Sequence, residues 1–275
     1  MLRRHVLFAT AAAVVAAPAV CAPAAFAERL VAADAKNRLY TFDSDSPEKW
    51  TRTKAVSGLA AGERIVGLDV RPAGRGLIAL TNRSRLYSMQ RTRAKATAIG
   101  ANPFMPALAG SAFGFDFNPT VDRIRVVSGS GQNLRLNPES GAVAFDDAAL
   151  RYKDGDPSAG SPPAALGAAY TNSVRGSMTT TLYVIDTRKD VLAIQAPPNE
   201  GVLTTVGPLG VNLSGPLGFD ISARDGKAYV LAHRPGTDRS RLFTINLAKG
   251  TARKLGIVRR APDLVAFATL SKPPA

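Results

Sequence analysis

A short strand motif recurs along this chain of 275 residues at near-even intervals. The motif is a leucine that is followed, in most copies, by an aromatic residue. The five leucines are Leu39, Leu86, Leu134, Leu182 and Leu242, spaced 47, 48, 48 and 60 residues apart. Periods of forty to fifty residues with several short strands each are typical of a β-propeller, in which one repeat forms one blade. The spacing therefore predicts an all-β propeller.

Two further patterns divide each repeat into four strands. A strand that contains glycine precedes the leucine motif, at Gly67, Gly114, Gly167 and Gly218. A second apolar strand lies between the glycine strand and the leucine motif, as at residues 123–128, and a fourth strand follows the motif and ends in glycine or an apolar residue. We label the strands a to d in chain order, so that the glycine lies in strand a and the leucine in strand c. Gly, Pro and Asn interrupt the chain too often for a helical period to develop.

The first and last segments of the chain each contain part of one repeat. The first repeat begins at strand b, around Leu30, and residues 263–270 resemble a strand a with nothing after it. Joining the last strand to the first repeat would remove the free edges of an open array. Residues 28–275 are therefore predicted to form one domain of five four-stranded blades, closed by the C-terminal strand. Two packed β-sandwiches or six shorter blades are alternatives that the spacing does not favour.

Residues 1–27 have the composition of a signal peptide. Arg3 and Arg4 precede an Ala/Val-rich run, and Ala25-Phe26-Ala27 fits a cleavage site. We expect cleavage after Ala27 and export to the periplasm or the exterior. The paired arginines are also typical of the twin-arginine route, and the sequence leaves this route and the general secretory route both open. No transmembrane segment is expected in the mature chain.

Few residue types for metal or nucleophilic chemistry are present. Cys21 is the only cysteine and lies within the predicted signal, so the mature chain has no thiol for a disulfide, a metal or catalysis. The two histidines are His5, also in the signal, and His233, which we place in a loop. No histidine cluster for zinc or iron can form. We expect no cofactor and no metal site built from these ligands.

The segment 114–128 mixes acids and arginines into an apolar hairpin. Pairing Phe117 with Ile124 also places Asp116 opposite Arg125. Apolar residues then share one face of the hairpin, and polar residues share the other. If this charge pair is buried, removing one partner alone would be costly.

Asp69 and Asp220 occupy the same repeat position as Asp116, opposite Ile78 and Tyr229 in their own hairpins. In a structural role each carboxylate would bond to backbone or to a neighbouring blade near the axis. In a functional role the three carboxylates would converge on the central tunnel, where they could hold a cation or perform acid–base chemistry. We favour the structural role.

Longer motifs at and beyond this hairpin resemble a known bacterial family. The motifs are GSAFGFDFNPTVDRIRVVSGSGQNLRLNPESGAV, GAAYTN, TTLYVID, PPNEGVLTTVGPLGV and SRLFTINLAKGTA. They resemble the family of domain of unknown function 4394 over nearly all of the mature chain. The resemblance implies an exported, repeat-built β domain. It supplies no catalytic residue, substrate or cofactor.

Basic residues are concentrated in the loops expected on one face. The formal net charge is +14. In a propeller the d–a and b–c loops share one face, where ligands commonly bind near the tunnel mouth. Our candidate ligand-binding residues on that face are Arg83, Arg85, Asn133, Asn172, Arg175, His233 and Arg234. Such a surface favours an anionic glycan, a lipid head group or an acidic protein. Export excludes nucleic acid as a physiological partner, and we expect a monomer.

Three functional classes remain. We favour a non-enzymatic, exported binding module that uses its basic loop face for anionic ligands. The alternative is an enzyme that acts on an extracellular glycan or similar substrate through Asp69, Asp116 and Asp220, with metal assistance or acid–base chemistry. A purely structural envelope protein is the third class.

Overall fold

The computed structural model describes residues 27–74, 76–213, 215–233, 237, 239–261 and 264–270. Apart from two single 3-10 turns, Arg91–Arg93 and Pro198–Glu200, the regular elements among these residues are all strands. The all-β prediction is therefore confirmed. The predicted signal peptide lies outside the described residues except for Ala27, and it stays a prediction. No helix in the described part of the chain is long and apolar enough to span a membrane.

The strands form five separate sheets, each of which is one blade. Blade 1 contains β1 (Arg29–Asp34), β2 (Arg38–Asp43), β3 (Trp50–Ala55) and β21 (Leu264–Thr269). Blade 2 contains β4 (Ile65–Val70), β5 (Leu77–Thr81), β6 (Arg85–Gln90) and β7 (Lys95–Ile99). Blade 3 contains β8 (Phe113–Asn118), β9 (Arg123–Ser128), β10 (Asn133–Leu136) and β11 (Val143–Asp146). Blade 4 contains β12 (Arg151–Tyr152), β13 (Ala165–Tyr170), β14 (Leu182–Asp186), β15 (Val191–Gln195) and β16 (Val202–Pro208). Blade 5 contains β17 (Leu217–Ile221), β18 (Ala228–His233), β19 (Arg239–Ile245) and β20 (Ala252–Arg259).

The ring closes as the sequence predicts. Strand β21 is the innermost strand of blade 1 and pairs antiparallel with β1, with Leu30 opposite Thr269 and Ala32 opposite Phe267. One blade is thus built from both ends of the described chain. This pairing covers the inner edge of β1, and β21 takes the axial position that β4, β8, β13 and β17 hold in the other blades.

Blade 4 has a fifth strand that the repeat pattern did not predict. The two-residue strand β12 lies parallel to β16 at the outer edge, with Arg151 opposite Val202. It belongs to the long connection between blades 3 and 4. Tyr152 anchors this connection, because its side chain is buried and its hydroxyl donates a hydrogen bond to Asp186 Oδ2 at 2.7 Å.

The hydrophobic core lies between adjacent blades and not within a single one. Buried side chains form a cluster at the contact of each neighbouring pair, as where Ile78 and Leu80 of blade 2 meet Phe115 and Val126 of blade 3. Both faces of each sheet must therefore be apolar, because each face packs against a neighbouring blade. This explains why whole strands such as β5 are buried. Each such side chain contributes about 1.5–3 kcal/mol when it is fully buried.

The innermost strands pack directly against one another around the axis. They follow in the order β4, β8, β13, β17 and β21, and β21 returns to β4. The glycine of strand a permits this close approach, because a Cβ on Gly114 would lie 2.7 Å from the backbone nitrogen of Ala168 in the next blade. The repeated glycine is therefore required by packing at the axis.

Candidate functional site

A pocket of about 460 Å³ opens on the loop face, at the mouth of the propeller axis. We call it the loop-face pocket. Its walls come from the beginnings of inner strands in blades 1, 2, 3 and 5 and from the loops beside them. The lining residues are Ala35, Arg64, Ile65, Val66, Asn82, Gly110, Ser111, Ala112, Phe113, Pro216, His233 and Val265. A volume of this size is sufficient for a small organic ligand.

The loop-face pocket is apolar over much of its wall and basic at one side. Val66, Phe113 and Val265 contribute apolar surface near the starts of inner strands. Arg64 is exposed, and its guanidinium has no ion pair or hydrogen bond with any residue in the described ranges. Its backbone N–H donates to Asn82 Oδ1 at 2.7 Å, which holds the two residues together. No acidic residue is among the described lining.

Among the predicted ligand-binding residues that the structure describes, only one lines this pocket. His233 does so from the end of strand β18, and its predicted position in a loop is therefore wrong. The polar residues around "AHRPG" suggested a loop, but the β18–β19 pairing continues to His233 opposite Ser240. Arg234 lies outside the described residues.

The other predicted loop residues stand apart from the pocket lining. Arg83 is exposed and follows the pocket residue Asn82 in the chain. Arg85 Nε lies 3.6 Å from Glu63 Oε1, and the Arg85 guanidinium donates a hydrogen bond to the carbonyl of Ala101. The prediction that Asn172 and Arg175 lie on the loop face is wrong, because they belong to the connection between β13 and β14, the first and second strands of blade 4, at the opposite face. There Asn172 donates to the carbonyl of Thr179, and Arg175 is exposed. Of these four residues, Arg83 and Arg85 add basic groups to the loop face, and the four do not form one site.

Asn133 is buried in a network that joins blades 3 and 4. Its side-chain oxygen accepts hydrogen bonds from Arg125 and Gln195, and its Nδ2 donates to the carbonyls of Ala148 and Pro198. The amide is thus fully used inside the protein. This observation assigns Asn133 a structural role.

Arg125 lies at the centre of the same network and not in an ion pair with Asp116. The predicted register is confirmed, since Asp116 is opposite Arg125 and Phe117 is opposite Ile124. The guanidinium, however, turns to Asp147 Oδ2 at 2.7 Å and also donates to Asn199 and Asn133. Asp147 follows β11, so the pairing of Arg125 with Asp147 depends on a loop whose position the hairpin sequence does not predict.

Asp69, Asp116 and Asp220 meet at the axis, as the functional hypothesis required. One carboxylate oxygen from each residue lies within 4.8 Å of the corresponding oxygen of the other two. We call these three residues the axial carboxylate cluster. Their exposed fractions are 6%, 1% and 3%, respectively. The cluster is therefore closed to solvent.

The same carboxylates also join neighbouring blades, as the structural hypothesis required. Asp69 Oδ2 accepts a hydrogen bond from the backbone N–H of Phe117 at 2.7 Å, and Asp220 Oδ2 accepts one from that of Thr269 at 2.6 Å. Asp116 Oδ1 accepts one from the N–H of Tyr170 at 3.0 Å. Each bond connects one inner strand to the next. The two roles that the sequence left open are thus combined in one arrangement.

Burial determines the ionisation of the axial carboxylate cluster. It raises the pKa of Asp69 and Asp116 well above their usual range, and the nearby carboxylates raise them further. Burial raises the pKa of Asp220 to about 6, although backbone hydrogen bonds from Thr269 and Ile221 oppose the shift. The charge of Glu28 adds a smaller upward contribution at Asp220. Without a cation, protons would be retained at this cluster near neutral pH.

The raised pKa of Asp220 predicts that, with a chelator present, the free energy of unfolding declines as the pH rises. Between pH 3.8 and about 6, Asp220 holds a proton in the folded state that the unfolded chain has released. Asp220 alone therefore lowers the free energy of unfolding by roughly 3 kcal/mol across that interval, and the raised pKa values of Asp69 and Asp116 add to the loss. Urea unfolding at several pH values should show this loss in the wild type. The loss should be smaller in Asp220→Asn by the contribution of that residue, while the part due to Asp69 and Asp116 remains, and equal curves for both proteins would contradict the prediction.

The loop-face pocket and the axial carboxylate cluster lie at different depths. The pocket touches Ile65 and Phe113 at the starts of their strands, whereas Asp69 and Asp116 come three or four residues later. That offset is roughly 10 Å at the usual rise of a strand. Between them the axis narrows to a cavity of about 10 Å³, with Phe115 and Phe219 among its walls. No organic ligand can pass through such a space.

Sequence reasoning missed the pocket residues that come from the d–a connections. Arg64, Ala112 and Pro216 line the pocket, yet none was a candidate. The only available signal was their position just before the glycine strands, where any residue must face the mouth of the axis.

Comparisons with known proteins agree on family and fold. Residues 38–268 match the family described as "Domain of unknown function (DUF4394)". No match is found among the curated proteins. A structural genomics protein of unknown function from Bacteroides thetaiotaomicron VPI-5482 is similar in structure, with a TM-score of 0.52 and 12% identity. The likeness covers 74% of this chain and 53% of that protein, so this chain spans about half its length.

Two further likenesses are weaker. A chain of the nidogen/laminin complex has a TM-score of 0.45 and 11% identity, with coverage of 89% of this chain and 85% of that one. The glutaminyl cyclase of Myxococcus xanthus has a TM-score of 0.43 and 9% identity, with coverage of 80% and 97%. These scores are too low to support an inference about function.

Proposed function

This chain belongs to the DUF4394 family, and from its loop-face geometry we propose that it is a non-enzymatic binding protein for a small anionic ligand with an apolar body. The observation that supports the proposal is the composition of the loop-face pocket. Its volume of about 460 Å³ combines apolar walls with an arginine and no acidic residue among those described.

The apolar part of the ligand would lie against Val66, Phe113 and Val265. These residues project from the starts of rigid inner strands, so the pocket floor is positioned before binding. Little conformational entropy would then be lost on association. The narrow axial cavity below stops the ligand at this depth.

The charged part of the ligand would be held by Arg64. A guanidinium offers planar, bidentate donors that match a carboxylate or a phosphate. Arg64 has no ion pair among the described residues, so it need not break one to bind. A lipid head group with part of its acyl chain fits these two requirements. An anionic glycan or an acidic peptide fits only the charged part.

The enzymatic alternative has less support. It needs a substrate to touch Asp69, Asp116 or Asp220, and these side chains are at most 6% exposed. Two of them use both carboxylate oxygens to hold backbone N–H groups. The predicted signal peptide in residues 1–27 is the reason for placing the binding activity outside the cytoplasm, and we expect a monomer.

Isothermal titration with octyl phosphate and octanoate at low salt would test the proposal. We expect binding of both amphiphilic anions, weaker binding of octyl glucoside, and a loss of affinity as salt is added. Arg64→Ala should weaken anion binding by about 10–100-fold, because it removes a charge-assisted hydrogen bond.

Arg151→Ala is the matched control, since it removes an equal charge from an exposed arginine at the outer edge of blade 4. It should leave the affinity unchanged. Absence of binding by either anion, or equal losses in the two variants, would refute the proposal. Binding of a charged glycan or peptide alone would show that the apolar wall is not part of the site.

A further inference from the structure

We propose that the axial carboxylate cluster is a binding site for one divalent cation, and that the cation is Ca²⁺. The site would lie on the axis of the propeller and would be separate from the loop-face pocket. The proposal rests on the arrangement of oxygen atoms, on one unpartnered oxygen, and on the types of donor that surround it.

The three carboxylates are already close enough to share an ion. One oxygen from each of Asp69, Asp116 and Asp220 lies within 4.8 Å of the others. Oxygens on opposite sides of a calcium ion, each about 2.4 Å from it, are about 4.8 Å apart. A single ion among them can therefore contact all three residues with only small shifts of the side chains.

Asp116 supplies an independent indication that the cluster is incomplete without a ligand. Its Oδ2 is buried and accepts no hydrogen bond from any residue that the structure describes. A buried polar atom without a partner is costly. The nearest arginine in the hairpin cannot serve, because Arg125 is bound to Asp147, Asn133 and Asn199. A cation beside Oδ2 would remove this cost.

The other two carboxylates are held in place for such a role. Asp69 and Asp220 each use one oxygen for their own following N–H and the other for an N–H of the next blade. A carboxylate oxygen that accepts one hydrogen bond still has a lone pair for a metal. The backbone thus fixes the direction of the ligands before an ion arrives, which lowers the cost of binding.

The donor set selects among cations. All three side chains offer hard oxygen ligands, which suit calcium, magnesium and manganese. Magnesium usually retains several waters, whereas the neighbouring axial cavity of about 10 Å³ has room for about one. Calcium accepts irregular geometry and bidentate carboxylates, so this enclosed site fits it better.

Elemental analysis of the full chain, purified without chelator, is the direct test. We expect about one calcium per chain. Removal with EDTA should lower the melting temperature by about 5 °C or more, and added CaCl₂ should restore it, as for a ligand that binds only the folded state. These measurements use the wild type and do not depend on any variant folding.

Asp116→Asn tests the assignment of residues. It should abolish calcium binding and the melting-temperature response to CaCl₂. Asp186→Asn is the control, because Asp186 is equally buried but bonds to Tyr152 and lies outside the cluster. It should retain the metal even if it melts at a lower temperature.

Several results would overturn the proposal. One is a wild type that contains no divalent metal and does not respond to CaCl₂, MgCl₂ or MnCl₂. Another is an Asp116→Asn variant that keeps the full calcium content. One equivalent of magnesium or manganese in place of calcium would refute the calcium assignment. Ligand binding at Arg64 is measured separately, so failure of one proposal leaves the other intact.

Discussion

Arg125→Ala is expected to lower the free energy of unfolding by about 3–5 kcal/mol, the usual cost of removing one partner from a buried ion pair. The side chain is only 1% exposed and donates to Asp147, Asn133 and Asn199 at 2.7–2.8 Å. Alanine would leave these acceptors buried with fewer donors. Because Asn199 belongs to blade 4, the contact between blades 3 and 4 should weaken most.

Arg135→Ala provides a matched control at the same carboxylate. Arg135 donates two hydrogen bonds to Asp147 and lies over the ring of Phe145, but its side chain is 21% exposed. Water can replace part of what is lost, so we expect a cost of about 1 kcal/mol. Urea unfolding of both variants measures the difference. A loss below about 1 kcal/mol for Arg125→Ala would show that Asp147 and the two asparagines rearrange without penalty.

Gly218→Ala is expected to cost about 3 kcal/mol by overpacking the axis. A Cβ at this position would lie 2.1 Å from the Cβ of Phe267 and 3.0 Å from its backbone nitrogen. Phe267 belongs to β21, the strand that closes the ring. Relief would require movement of that strand, since no flexible side-chain tip is the obstacle. The same change at Gly167 should cost less, because its nearest obstacle is Cδ1 of Leu217.

Gly76→Ala separates this effect from the general effect of adding a methyl group. Nothing lies within 4 Å of a Cβ built on Gly76. We expect its stability to stay within about 0.5 kcal/mol of the wild type. Thermal or urea unfolding of the three glycine variants should give the order Gly218, Gly167, Gly76 from largest to smallest loss. Any other order would contradict the packing argument.

Much of the fold could be predicted because the same sequence pattern recurs in several blades, and each copy indicates the same local structure. Four of the five leucines of the repeated motif lie in third strands, namely β2, β6, β10 and β19, and their spacing indicates the blade number. The assignment of Leu182 to strand c is wrong, because it lies in β14, the second strand of blade 4. The hairpin at 114–128 has the predicted register because only that register buries Phe115 and Phe117 on one face. The closing strand could be recognised because its pattern matches strand a without a following strand b.

The site was only partly predictable, for physical reasons. The position of Asp116 at the axis follows from a repeat that two other blades share. Its companion in the hairpin, Arg125, bonds to Asp147 and Asn199, whose positions depend on loops of no repeated length. The loop-face pocket likewise depends on how non-equivalent loops fold over the mouth. Residues such as Arg64 become significant only when those loops are placed.

Strand β21 links the architecture to the order in which the chain is made. It is synthesised after every other strand described, yet it lies innermost in blade 1 and pairs with β1. Thr269, near its end, also donates the N–H that holds Asp220. Blades 2 to 5 can pair their own strands locally, but blade 1 needs a contact between residues more than two hundred positions apart, such as Leu30 and Thr269. Completion of the ring and of the axial carboxylate cluster must therefore await the synthesis of β21, a late and slow event for a fold of this topology.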